Sequence, residues 1–339
     1  MTDRFAGGED SSFTLTGSLL ILTSGGSFRS GFARCSLSNS AGSSSAADPP
    51  AFRLTTKAWT PATGNNWFHA QWDNSTTNSF TSNATLMRLL DGSGIARIVV
   101  RATGTAGQIK IDKRNAAGTF TNLVTSAAGA ISGSSIPQAL DFFVNYAVSG
   151  QATFYVGGVA IADTGAGVDV TTDGVTTLGQ GDLCCINTTG SDRWSECIDR
   201  DTTTLGSALQ TLPPLAAGNT QSWTPNTVGN INEITINDSN NVSTSSANSL
   251  SEWTVATTLP VGQWTISSVQ QEVRISRGAS GPQNFEFLVR TSDGSDHVSG
   301  TTNPTTSLAN YANNWPLNPH TSTAWNPGEL VNSGVESLT

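Results

Sequence analysis

The sequence predicts an all-β chain of two β-sandwich, jelly-roll-type domains, and three observations carry that expectation. The first is the stretch Ala139–Asp163. Leu140, Phe142, Val144 and Tyr146 alternate there with Asp141, Phe143 and Asn145; after Val148-Ser149-Gly150 the alternation resumes with Ala152, Phe154 and Val156. Two period-2 runs joined by a Ser-Gly turn read as a β-hairpin, and an apolar face of that size needs a second sheet to cover it. The second observation is spacing: strand-like runs recur about every ten residues with turn residues between them. The third is the lack of any helical periodicity longer than two turns.

With 339 residues, two domains are expected. The boundaries read as 1–201 for a first sandwich, 202–222 for a connector and 223–339 for a second sandwich. Charged residues are 12% of the chain, so Ser, Thr, Asn and Gly make up most of its polar surface. A net charge of −9 and a pI near 4.7 argue against nucleic acid and against anionic membrane surfaces. No apolar run approaches the roughly 18 residues of a membrane span. The N-terminus Met1-Thr2-Asp3-Arg4-Phe5 lacks a basic region ahead of an apolar core, so synthesis and folding in a cytoplasm are expected. The four cysteines fit that compartment. Cys35 and Cys197 read as small buried residues, the adjacent Cys184-Cys185 would make a strained bridge, and none has C-x-x-C spacing, so four free thiols and no metal are expected.

In chain order, Phe13–Leu22 and Phe28–Ser38 read as strands, followed by a low-complexity loop over Asn39–Pro50. Strand-like runs return at Ala51–Trp59 and Trp67–Trp72. Leu86–Leu90 and Ala96–Arg101 flank the hairpin signal Asp91-Gly92-Ser93-Gly94, and Gln108–Lys113 and Phe120–Val124 flank Asn115–Gly118 in the same way. After the Ala139–Asp163 stretch come Val168–Leu178, Leu183–Ile186 and the closing Trp194–Asp199. The connector, with two prolines over Thr202–Asn219, shows no alternation. The second domain reads as Ile231–Ile236, Leu250–Val255, Gly262–Ser268, Gln270–Ser276, Asn284–Arg290 and Asp296–Gly300, with a proline-rich finish around Trp315 and Trp325 and a weak final apolar strip.

Catalytic chemistry finds little support. Glu196 and Asp199 are three apart, on opposite faces of a strand, whereas retaining glycoside hydrolysis needs two carboxyl groups about 5 Å apart across one bond. His69, His297 and His320 are scattered, and Asp293-Gly294-Ser295-Asp296 ahead of His297 reads as turn chemistry rather than a metal site. The oxygen-rich Asp163–Asp173 segment has ligands that could hold Ca²⁺, but the favoured reading is an Asp/Gly turn region between strands. The remaining lead is aromatic. Trp59, Trp67 and Trp72 surround the loop Thr60–Asn66, where an exposed indole could stack on a sugar ring with Asn65 bonding its hydroxyls; the competing reading is that these tryptophans plug the ends of the sandwich. Trp315 and Trp325 put large apolar groups where a lone domain usually places polar ones, so an assembly contact is expected there, the competing reading being that both fold back onto their own sheet.

Taken together, the motifs carry a resemblance. L-D-F-F-V-N-Y-A-V-S-G-Q-A-T-F-Y-V-G-G and the closing W-S-E-C-I-D-R-D resemble a laminin-G/concanavalin A-like jelly roll. With R-S-G-F-A-R-C-S-L, G-N-I-N-E-I-T-I-N-D, R-G-A-S-G-P-Q-N-F-E-F-L-V-R and the ending Y-A-N-N-W-P-L-N-P-H-T-S-T-A-W-N-P-G-E-L-V-N-S-G-V, the chain is similar to a family of tailed-bacteriophage structural proteins. Cys197 departs from the apolar residue expected in the closing strand. The resemblance implies a virion component without catalytic residues or cofactor: a fibre, spike or capsid-decoration subunit on the particle surface, homo-oligomeric, in contact with other virion proteins, and acting in adhesion or structure. The alternatives are a carbohydrate-binding module that recognises a host surface glycan and, further off, a glycan hydrolase.

Overall fold

In the computed structural model the chain is all-β, as the alternation predicts. The structure describes residues 3–7, 12–17, 19–23, 35–39, 46–74, 80–132, 137–172, 174–186, 192–232, 237–255 and 264–338. Among these, no helix is long and apolar enough to cross a membrane. The chain divides into two compact units, Met1–Leu209 and Gln210–Thr339.

The first unit is a sandwich of two antiparallel sheets. Its strands are β1 Asp3–Gly7, β2 Phe13–Thr16, β3 Leu19–Thr23, β4 Cys35–Asn39, β5 Arg53–Thr56, β6 Gly64–Asn74, β7 Thr85–Leu90, β8 Ala96–Ala102, β9 Ile109–Arg114, β10 Phe120–Thr125, β11 Gln138–Tyr146, β12 Gln151–Val156, β13 Val159–Asp163, β14 Gln180–Cys184 and β15 Asp192–Arg200. An eight-stranded sheet runs β13-β12-β11-β6-β15-β4-β3, with β1 also on β15; a seven-stranded sheet runs β10-β9-β8-β7-β14-β5-β2. Leu140, Phe142, Val144, Ala152 and Phe154 have no exposed surface and Tyr146 has 2%. They face the second sheet, and Phe142 meets Phe154 edge-on at 6.2 Å. Gly181 of β14 lies flat on the Phe68 ring of β6: a Cβ there would sit 2.5 Å from Phe68 Cζ.

Some boundaries differ from the expectation. The run Phe13–Leu22 is two strands in different sheets, because Gly17 has φ +92° and a Cβ there would meet the Ala51 carbonyl at 2.8 Å. Among the described residues of Val168–Leu178 the pairing is by isolated bridges, from Val168 to Gly150, Thr172 to Val175 and Leu178 to Ala62. β1 has no signal of its own in the sequence. Residues 28–34, 40–45, 233–236 and 262–263, which include parts of expected strands and loops, lie outside the described residues, as does the side chain of Cys35. Cys184, Cys185 and Cys197 are free thiols, all buried; burial pushes the Cys184 and Cys197 thiols well up, which keeps them unreactive.

The second unit has a five-stranded sheet, β16-β17-β22-β19-β20, and a two-stranded sheet, β18-β21. The strands are β16 Pro214–Gln221, β17 Ser249–Val255, β18 Val269–Ile275, β19 Asn284–Thr291, β20 Asp296–Val298, β21 Ala309–Trp315 and β22 Leu330–Leu338. Residues 264–268 form one bridge, Ile266 to Trp325, rather than a strand. Phe285, Phe287, Val289, Trp315, Trp325 and Leu330 make the core of this unit. Trp315 is 8% and Trp325 3% exposed. The Trp325 indole N–H donates to the Trp315 carbonyl at 2.9 Å, and that of Trp315 to Gln271 Oε1 at 2.6 Å. The assembly contact expected at these two tryptophans is therefore corrected: both fold back onto their own unit, and their polar atoms are satisfied there.

Candidate functional site

The eight-stranded sheet has an outer face, built by the residues that alternate with its core positions. On β6 these are Asn65, Trp67, His69 and Gln71; on β11, Asp141, Phe143 and Asn145; on β12, Gln151, Thr153 and Tyr155. Register aligns them in rows across the strands. Asn65 opposes Asn145, which opposes Gln151; Trp67 opposes Phe143, which opposes Thr153; His69 opposes Asp141, which opposes Tyr155.

Two kinds of site share this face. The first is an aromatic strip. Trp67 and Phe143 ring centroids are 4.7 Å apart, and Trp67 and Tyr155 stack at 5.6 Å with planes 29° apart. All three are half-buried, and Asn65 beside them is exposed. Along the edge, Asp163 Oδ1 accepts from Gln151 Nε2, Thr153 Oγ1 and the Gly165 N–H, each at 2.9 Å. Burial opposes ionisation of Asp163, yet these donors together hold its carboxyl below the usual range. Burial pushes the Tyr155 hydroxyl up, so it remains a neutral donor and acceptor. Such a strip offers flat apolar area with fixed polar groups at its rim.

The second is a buried polar cluster beside the strip. His69 Nδ1 lies 2.8 Å from Asp141 Oδ1, which also accepts from Thr204 Oγ1 at 2.5 Å. His69, Asp141 and Thr204 are each 1% exposed or less. The Asp141 contact fixes the orientation of the ring, and Nε2 has no hydrogen-bond partner among the described residues. Residues 202–209 pack here: Arg200 donates to the Thr203 carbonyl at 2.6 Å and to the Ser207 hydroxyl, and the Leu209 N–H donates to Glu196 Oε2 at 3.2 Å. Glu196 has φ +52° at the bulge in β15, while Asp199 faces Arg4 at 3.6 Å. The two carboxylates have different partners on different segments.

Of the residues expected to meet a sugar, the structure places only Trp67 and Asn65 on an accessible face. Trp72 is a core residue with no exposed surface. It packs against Trp194 at 6.3 Å and donates its indole N–H to Asp192 at 2.9 Å. Trp59 is 8% exposed and belongs to the same core. Both are corrections, and both follow the plugging alternative. Phe143 and Tyr155 are the residues that sequence reasoning missed; their signal was present in the register, since each occupies the polar phase of its strand. Asp169 accepts from Thr171 and from Lys113, so the Asp163–Asp173 carboxylates described are committed to turns and strand edges. In the second unit the structure gathers Asp293, His297 and His320 into one group that could hold a metal ion.

No family model and no curated protein matches this chain. Among solved structures it is similar to the globular domain of T. cruzi calreticulin, at 11% identity and TM-score 0.42, covering 60% of this chain and 89% of that one. It is also similar to an endo-β-1,4-glucuronan lyase from the fungus Trichoderma reesei, at 8% identity and TM-score 0.44, covering 60% and 97%. A third is a carbohydrate esterase of the Shiga toxin-encoding bacteriophage phi24B, at 13% identity and TM-score 0.36, covering 59% and 99%. Likeness of this order carries no argument about activity or ligand.

Proposed function

We propose that this chain is a surface subunit of a tailed-phage particle that adheres to host carbohydrate through the outer face of its eight-stranded sheet, without cleaving it. The observation that carries the binding half is the strip of Trp67, Phe143 and Tyr155, drawn from three adjacent strands and left half-exposed beside oriented polar groups. A folded domain gains nothing in its core from aromatics placed there, whereas a pyranose ring has flat C–H faces that match them and hydroxyls that match the amides. The virion half is supported by the order of the sequence motifs. Repetition of the subunit on a particle suits a shallow site, because linked weak sites gain avidity of about 10²–10⁴ without new contacts.

An array of bacterial surface polysaccharides tests the binding half. The full chain binds at least one class, and W67A lowers that binding at least about tenfold, which corresponds to about 1.4 kcal/mol. Absence of binding across the array favours a purely structural decoration subunit, and release of reducing ends from a bound polysaccharide favours a hydrolase. A cryo-EM map with the subunit placed on the particle tests the virion half.

A further inference from the structure

The β19–β20 hairpin and the loop after β21 bring together three side chains that lie up to 27 residues apart in the sequence, taking the difference between 320 and 293. Asp293 sits in the hairpin turn, which is closed by the Thr291 N–H to the Ser295 carbonyl at 3.0 Å and by Gly294 at φ +89°. His297 follows on β20. His320 arrives from the other loop, its Nδ1 3.1 Å from Asp293 Oδ2. The two imidazole centroids are 6.1 Å apart, and the ligand atoms of all three residues lie within 4.8 Å of one another.

We propose that Asp293, His297 and His320 form a binding site for one divalent transition-metal ion of the Zn²⁺ class, tying the β19–β20 turn to the loop after β21. The donor set, two imidazoles and one carboxylate, is the chemistry that such ions select over Ca²⁺ or Mg²⁺, which prefer all-oxygen shells. Three protein ligands leave a coordination position for water. Ligands at about 2.0–2.1 Å from Zn²⁺ stand roughly 3.3 Å apart, so the triangle has to contract. The His320 side chain is 47% exposed, so its ring is free to rotate inward.

The surroundings orient these ligands. Asp293 accepts from the Thr291 hydroxyl at 2.5 Å and from the Ser295 hydroxyl at 2.6 Å, and the Thr291 hydroxyl also meets His297 Nε2 at 3.2 Å. The hydroxyls of Ser295 and Thr291, with His320, hold the Asp293 carboxyl well below the usual range. The loop carrying His320 is fixed in turn. Asn318, 2% exposed, accepts from the His320 N–H and donates to the Glu329 carboxylate, both at 2.9 Å. The Glu329 carbonyl accepts from Ser292 N–H at 2.9 Å, joining that loop to the hairpin turn. Outer partners of this kind preset the direction of metal ligands.

Isothermal titration of the tag-free full chain with ZnCl₂ tests the site. The expected result is one ion bound per chain in the micromolar range or tighter, with no displacement by excess Mg²⁺. In a long-range ¹H–¹⁵N spectrum the imidazole signals of His297 and His320 shift on binding and that of buried His69 does not. H297Q, at a half-buried position, and H320Q, at an exposed one, keep the metal-free melting temperature and each weaken binding at least about tenfold, within the range expected for loss of outer partners alone. Failure to take up stoichiometric Zn²⁺, or uptake that leaves the His297 and His320 signals unmoved, overturns the proposal.

Discussion

Asp91 shows what one carboxylate does in a turn that the sequence marks only as Asp-Gly-Ser-Gly. Its Oδ1 accepts from the Ser93 and Ile95 N–H groups at 2.8 and 3.0 Å, and its Oδ2 accepts from Arg97 Nε at 2.8 Å. Burial opposes its ionisation, but the Ile95 N–H, the Arg97 guanidinium and the Ser93 N–H together hold its carboxyl below the usual range. A folded pKa below the unfolded value of about 3.9 means that Asp91 contributes stability above that value and loses it as pH falls through the folded pKa. D91N is therefore less stable than the parent at pH 7, and the gap narrows in acid. Urea melts at neutral and acid pH check this; a constant gap contradicts it. At the same scale, face assignment was legible in part. Trp67 and Trp72 are separated by an odd number of positions, so one strand cannot present both to the same side. Period 2 sends Trp72 inward with Phe68 and Ala70, and Trp67 outward with His69. What one strand's pattern could not reveal was the company Trp67 keeps, because Phe143 and Tyr155 reach it only through the register of β6, β11 and β12.

At the scale of elements, hairpins were the most legible parts, because both strands and the turn lie within a short window. β7–β8, β9–β10 and β11–β12 fall close to their predicted limits. Elements whose partners are distant in sequence were harder. By its own pattern β16 falls in a proline-bearing connector, yet it pairs with β17; β22 has the pattern of a weak strip, yet it is the middle strand of its sheet. Such strands owe their order to neighbours rather than to their own pattern. Contact between sheets gives two stability predictions. F142A empties a fully buried position between the sheets and costs about 3–5 kcal/mol. G181A forces a methyl group against the Phe68 ring and destabilises by about 1–3 kcal/mol, and the double variant G181A/F68L recovers part of that loss. Chemical denaturation measures both. A neutral G181A shows that the two sheets are less closely packed at this point.

At the scale of the whole molecule, each unit has a core of its own, which predicts that residues 1–209 fold alone. The position of the cut matters. Ending at 201, where the sequence pattern of the first sandwich closes, removes Thr204 from Asp141, Ser207 from Arg200 and the Leu209 N–H from Glu196. A fragment 1–209 therefore melts cooperatively, and 1–201 melts at a lower temperature, because carboxylates buried in the long form lose partners. Equal melting temperatures contradict the role given to residues 202–209.

The glycan-binding role proposed for Trp67, Phe143 and Tyr155 on the outer face is a claim that ¹⁹F NMR of 5-fluorotryptophan-labelled protein can test at the residue itself. Titration with oligosaccharides cut from a bacterial surface polysaccharide that the chain binds shifts the Trp67 resonance, assigned by W67F, in a saturable way and leaves the core resonances of Trp72 and Trp194 in place. Saturable binding that leaves the Trp67 resonance unmoved contradicts the claim.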